Sequence, residues 1–171
     1  YTDVISMHKN GIQNVVSASG TALGIEQLKL INRITENITL LFDGDEAGIK
    51  ATYRTINLAL KEGMNVNILI FPEGEDPDSY SNKFSAQEFK AFLTNNVLNF
   101  VEYKMAISKL NIQKDPKEII KRKRDIFKSI ANITDPLVRT QYCKTYYTKL
   151  DISEEIMLKE VAKYRSQISL H

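Results

Sequence analysis

Residues 38–42 read Ile-Thr-Leu-Leu-Phe and residues 66–71 read Val-Asn-Ile-Leu-Ile-Phe, two apolar runs of strand length. Between them Ile49, Tyr53, Ile56 and Leu60 recur at helical spacing, and the pattern stops at Gly63. That is an amphipathic helix closed by a glycine. Strand, helix and strand with glycines at the joints predict a right-handed parallel βαβ unit. The unbroken apolar run at 38–42 predicts a strand buried on both faces. Each run ends in acid: Asp43-Gly-Asp45 follows the first, and Glu73-Gly-Glu-Asp-Pro-Asp78 follows the second. Parallel strands with acidic tips gather carboxylates at one sheet edge, where open α/β sheets take their ligands.

Around this unit the chain changes character. Residues 2–10 read as a short helix stopped by Gly11, residues 14–17 as a short strand, and residues 24–33 as a helix with Ile25, Leu28, Leu30 and Ile31 inward. After Asp78 the strand signals stop. Ser85 and Glu88 form a capping box that opens a helix to about residue 96, and residues 99–110 read as another. Asp115-Pro116 and Asp135-Pro136 each set an N-cap before a proline, opening helices to about residues 132 and 150. Ser153 caps a last helix that runs through residue 164 or beyond. The reading is an α/β unit over residues 1–96, then an all-helical bundle over residues 97–171.

Composition narrows the function. With 171 residues, 43% of them hydrophobic and 26% charged, the chain can bury a real core. No stretch approaches the ~18 apolar residues of a membrane span, so no membrane association is expected. A single cysteine, Cys143, excludes an internal disulfide framework and fits a reducing cytoplasm; in its tyrosine-rich helix it reads as a structural thiol. His8 and His171 are too few and too scattered for a zinc site or a Ser/His/Asp triad. The charge is asymmetric: residues 1–99 hold 8 Lys and Arg against 12 Asp and Glu, whereas residues 100–171 hold 15 against 9. A chain that opens on Tyr1 rather than Met reads as a segment of a longer protein.

Asp43 and Asp45 stand two apart, so on an extended trace both side chains face one way. Asp76 and Asp78 repeat that spacing around Pro77. Four carboxylates gathered together repel unless a cation sits among them. Oxygen ligands without His or Cys favour Mg²⁺ or Mn²⁺ over zinc, and such a cation stabilises charge during phosphoryl transfer. The rival reading is plain: an isolated Asp-x-Asp after a strand is more often a solvated turn.

Four motifs occur in order: Tyr1-Thr-Asp-Val4, Ala18-Ser-Gly-Thr-Ala-Leu23, Phe42-Asp-Gly-Asp-Glu-Ala-Gly48 and Phe71-Pro-Glu-Gly-Glu-Asp-Pro-Asp78. Together they closely resemble the TOPRIM domain of bacterial DnaG-type DNA primases over residues 1 to about 95. Thr134-Asp-Pro-Leu-Val-Arg139 and Ile152-Ser-Glu-Glu155 resemble, more weakly, the helical subdomain that follows TOPRIM in those enzymes. The resemblance implies an α/β TOPRIM fold, a Rossmann-like parallel sheet with flanking helices, followed by an all-α bundle. It implies a nucleotidyltransferase, a DNA-directed RNA polymerase that lays down short RNA primers for replication. By position, Asp43, Asp45, Asp76 and Asp78 hold Mg²⁺ or Mn²⁺, with Asp43 and Asp45 as the catalytic pair. The implied partners are single-stranded DNA template, RNA primer and ribonucleoside triphosphates. A replicative helicase would bind through a carboxyl-terminal domain, and zinc would belong to an amino-terminal domain, both outside this chain.

The family's first TOPRIM strand ends in a glutamate two residues before the position of Tyr1. The resemblance therefore implies weak metal binding, no primer synthesis by these residues alone, and an uncovered sheet edge prone to association. TOPRIM also occurs in topoisomerases, nucleases and the recombination mediator RecR. The rival functions are thus phosphodiester cleavage and a non-catalytic binding module; the Gly-Glu-Asp-Pro-Asp form, the Ser-Gly-Thr loop and the helical tail point to primase.

Lys121-Arg122-Lys123-Arg124 is the densest basic run. Four successive helical residues point around most of a cylinder, so a solvated face competes with phosphate contact to template or hybrid. Tyr142, Tyr146 and Tyr147 have the spacing of helix–helix packing, with base stacking as the alternative.

Overall fold

A computed structural model of the chain describes residues 2–18, 23–42, 46–72, 74–110 and 115–168. In chain order the elements are α1 (Thr2–Lys9), α2 (Ile25–Asn32), β1 (Asn37–Phe42), α3 (Glu46–Lys61), β2 (Asn65–Ile70) and α4 (Pro77–Ser81). They continue with α5 (Ala86–Asn95), β3 (Val97–Asn99), α6 (Phe100–Leu110), α7 (Pro116–Asn132), α8 (Pro136–Tyr146) and α9 (Glu154–Ile168). β1 and β2 pair in parallel from Asn37↔Asn65 to Phe42↔Ile70, with α3 as their connection. The helix ends as the glycine predicts. Gly63 takes φ +79°, its amide donates to Leu60 O at 3.2 Å, and the Met64 amide donates to Ala59 O at 3.0 Å. This pair of bonds satisfies carbonyls that the last turn would otherwise leave bare.

β2 is the central strand of a sheet ordered β1-β2-β3. Successive side chains of a strand point to opposite faces, and β2 uses both. Val66 and Ile68 join a large core with Leu28 of α2, Ile56 and Leu60 of α3, and Phe100, Ile130 and Met157 of the later helices. Leu69 and, just beyond the strand, Phe71 join a smaller core with Met7 of α1 and Phe89 of α5. The sheet is therefore covered on both sides, and the larger core runs unbroken from the α/β elements into the helical ones.

Two polar contacts cross that larger core. Asn57 Oδ1 on α3 accepts from Ser129 Oγ at 2.7 Å and Asn132 Nδ2 at 3.2 Å, both on α7. Lys104 on α6, with a side chain only 1% exposed, pairs with Asp125 on α7 at 2.5 Å, its Nζ 4.2 Å from the centre of the Tyr53 ring.

Several expectations are corrected. β1 is not buried on both faces: Leu40 is buried, Ile38 and Leu41 are half-buried, and Thr39 is exposed. Among the described residues β1 pairs with β2 alone, which makes it an edge strand. Residues 14–17 form no strand; Val15 leans on the smaller core while Val16 is 75% exposed. Strand signals do not end at Asp78, because β3 pairs antiparallel with β2 through Asn67↔Asn99, Ile68↔Leu98 and Leu69↔Val97. α8 ends at Tyr146, four residues short of its expected limit near residue 150. The Asp135 cap and Pro136 start it as predicted.

Candidate metal centre

The parallel register brings the carboxyl ends of β1 and β2 level at Phe42↔Ile70. From the β2 end the chain passes Phe71, buried in the smaller core, and turns at Gly74, whose φ is +80°. The Glu75 amide donates to Pro72 O at 3.0 Å across that turn. Asp76 follows as the N-cap of α4: its Oδ1 accepts from the Ser79 amide at 2.6 Å, while its own amide donates to Ser79 Oγ at 3.0 Å. Pro77 takes the first helical position, where no amide hydrogen is needed. The extended spacing expected around Pro77 thus gives way to the start of a short helix.

That change separates the two aspartates. Residues two apart on a helix do not share a face. Asp76 is exposed, whereas Asp78 is half-buried and turned to α1, where its Oδ1 accepts from Ser6 Oγ. Asn82 Nδ2 also donates to Asp78 Oδ1, at 3.2 Å. Glu75 is committed at both oxygens: Oε1 to Lys83 and Oε2 to Ser79 Oγ. The Lys83 hydrogen bond, with that of Ser79, holds the Glu75 carboxyl below the usual carboxylate range.

Asp43 and Asp45 lie outside the described residues. Among the described residues no three His, Cys, Asp or Glu side chains come together as a metal cluster. The donors at Asp76 and Asp78 nonetheless suit a hard cation. Both are carboxylates, and among the described residues every hydrogen bond to them lands on Oδ1, which leaves Oδ2 of each unshared. Glu75 has no such oxygen.

The basic run of α7 is spread around its helix. Lys121 pairs with Glu118 at 3.3 Å, Arg122 Nη1 donates to Ser108 O at 3.4 Å, Lys123 Nζ donates to Asp151 O at 3.2 Å, and Arg124 is exposed. These four do not form one flat patch. The tyrosines pack between helices: Tyr142 lies 5.0 Å from Phe100 and 6.0 Å from Tyr146, ring centre to ring centre. Tyr146 is buried and its hydroxyl donates to Glu102 Oε1 at 3.1 Å. Cys143 is a buried free thiol, and burial pushes its pKa up.

Sequence reasoning missed Ser6, Asn82 and the Lys104–Asp125 pair. Ser6, Lys104 and Asp125 each stood inside a helix read from the sequence, and nothing there marked their side chains as partners.

Residues 1–81 match a family model described as Toprim-like. The DNA primase of Halalkalibacterium halodurans is 32% identical over 162 residues, covering 94% of this chain. The chain resembles part of a DNA primase. It spans 27% of the length of that primase. Among solved structures, the zinc-binding and RNA polymerase domains of the Aquifex aeolicus primase superpose with a TM-score of 0.75 at 30% identity, covering 93% of this chain and 38% of that one. A DNA primase domain from Pseudomonas aeruginosa gives a TM-score of 0.77 at 27% identity, covering 97% and 52%. The primase likeness thus extends past the Toprim-like segment through the helical bundle. Among the described residues no helix is long and apolar enough to cross a membrane.

Proposed function

We propose that this chain is the metal-binding and helical part of a DNA primase, within a longer cytoplasmic protein that makes short RNA primers for DNA replication. The observation that carries this is similarity to DNA primases over 94% of the chain in sequence and 93% in fold. We assign residues 1–96 to the TOPRIM subdomain and residues 97–171 to the helical subdomain.

Asp43, Asp45, Asp76 and Asp78 are the proposed ligands of Mg²⁺, with Mn²⁺ as an alternative. The Oδ2 atoms of Asp76 and Asp78 support that reading, since no described residue claims them. The bound cation supplies neutralising charge to the phosphates during nucleotidyl transfer. The chain's own contribution is to hold its carboxylates: Asp76 through the cap of α4, Asp78 through Ser6 on α1 and Asn82 just beyond α4. Single-stranded template, primer and ribonucleoside triphosphates are the proposed ligands of the whole protein, and a replicative helicase its proposed partner. Lys121, Arg122, Lys123 and Arg124 are proposed to add sequence-independent phosphate contacts. Primer synthesis belongs to the longer protein; the 171-residue chain alone is expected to be inactive.

The test is primer synthesis from ribonucleotides by a full-length protein carrying this chain. Asp43→Asn and Asp45→Asn should each abolish it, with circular dichroism and melting unchanged. Full activity in both variants would refute the assignment and favour a non-catalytic binding module. Cleavage of DNA by the wild type, without primer synthesis, would favour a nuclease or topoisomerase instead.

A further inference from the structure

We infer that Ser6 is a positioning residue for Asp78, holding that carboxylate in the orientation in which it takes a divalent cation. The inference rests on the metal reading of Asp78 given above. Ser6 lies on α1, is 5% exposed, and directs its hydroxyl to Asp78 Oδ1 across 72 positions of sequence. A serine inside a helix ordinarily returns its hydroxyl to a carbonyl of its own helix. This one bonds a carboxylate on another element.

α1 is fixed well enough for the contact to matter. Met7, the next residue, is 3% exposed and packs with Leu69, Phe71 and Phe89. Asn10 Nδ2 donates to Ser6 O at 2.9 Å. The helix closes at Gly11, with φ +76°, where the Ile12 amide donates to Met7 O at 2.9 Å.

The terminal torsion of an aspartate is broad and roughly two-fold. A donor fixed by its own packing selects one orientation, and a hydrogen bond to an ionised carboxylate is about twice as strong as a neutral one. Ser6 and Asn82 both donate to Oδ1, so they fix the rotor and present Oδ2. Asn82 is exposed and its amide group also donates to Asp78 O at 2.9 Å, which makes Ser6 the firmer of the two. Partners that orient metal ligands in this way are worth about 10–100-fold in metal affinity.

The experiment titrates Mn²⁺ into a full-length protein carrying this chain by isothermal calorimetry, and measures the rise in melting temperature that Mn²⁺ produces, for wild type, Ser6→Ala, Ser6→Thr and Asp78→Asn. The metal-induced rise is a difference within each variant, so a purely structural loss does not imitate it. Ser6→Ala should weaken Mn²⁺ by about 10-fold and shrink the rise; Ser6→Thr, which keeps the hydroxyl, should restore both. Should Ser6→Ala melt below the titration temperature, Ser6→Cys keeps the volume with a weak thiol donor and should show the same loss. Wild-type affinity in the folded Ala or Cys variant, with loss in Asp78→Asn, overturns the role of Ser6 and leaves the metal reading standing. No binding by the wild type, or unchanged binding in Asp78→Asn, overturns the metal reading and the inference with it.

Discussion

Lys104 carries a charge into a place almost closed to water, and three elements share the consequence. Its side chain lies on α6, its carboxylate partner Asp125 on α7, and the ring beneath it, Tyr53, on α3. Burial holds the Lys104 pKa below its ordinary 10.5, with Asp125 pulling the other way. Burial, and then the Asp125 charge, push the Tyr53 hydroxyl up to about 12 from an ordinary 10.0. The two groups act on stability with opposite signs. The raised Tyr53 contributes stability that is full below pH 10.0 and is lost as pH rises through about 12. The depressed Lys104 makes stability rise with pH from its folded value, but only up to 10.5. Above pH 10.5 Lys104 no longer opposes the tyrosines, so urea unfolding midpoints should fall between there and about pH 12. Tyr53→Phe should flatten the fall without removing it, because burial also raises Tyr103, Tyr142 and Tyr146. None of this was legible in the sequence. A lysine within a helical segment reads as surface, and its partner stands 21 positions away on another helix.

Elements whose boundaries are written locally were the legible ones. Asp135 accepts from the amides of Leu137 at 2.7 Å and Val138 at 3.2 Å, as an N-cap before a proline should. Asp135→Ala should therefore cost about 1 kcal/mol, read as a lower urea midpoint with an unchanged slope. The same Asp-Pro cue stands at Asp76-Pro77, but α4 is only five residues long, and there Asp76 read as a ligand with Asp78 rather than as a cap. β3 escaped because its three residues show no alternation, and its place is set by β2, about thirty residues earlier. Val15 and Val16 erred the other way. Their branched side chains suit a strand, but strand preference expresses neighbours more than backbone, and no described strand pairs with residues 14–17.

In the molecule as a whole, the larger core joins Leu28, Ile56 and Ile68 to Phe100, Ile130 and Met157, so sheet and bundle support each other. β1 is the weak boundary of that assembly. It runs six residues, its Thr39 is exposed, and among the described residues only β2 pairs with it. Unpaired backbone on such an edge recruits another chain. Sedimentation velocity should show larger species as concentration rises, and Thr39→Lys, a charge on the edge strand, should suppress them. A monomer at every concentration would remove the idea. For the candidate site, sequence alone named Asp76 and Asp78 as oxygen ligands. What sets their geometry, the cap at Ser79 and the hydroxyl of Ser6, depends on a short helix and on a distant one that local patterns do not connect.

The bond between Ser6 and Asp78 also has a history in time. It closes a loop of 72 positions and hangs on a helix of eight residues. Contacts so distant in sequence form late, and short outer elements open before the central strands do. Asp78 therefore acquires its fixed orientation after the sheet has formed and surrenders it while the sheet is still intact. Release of α1 alone removes the Ser6 donor and leaves the carboxylate to the exposed Asn82.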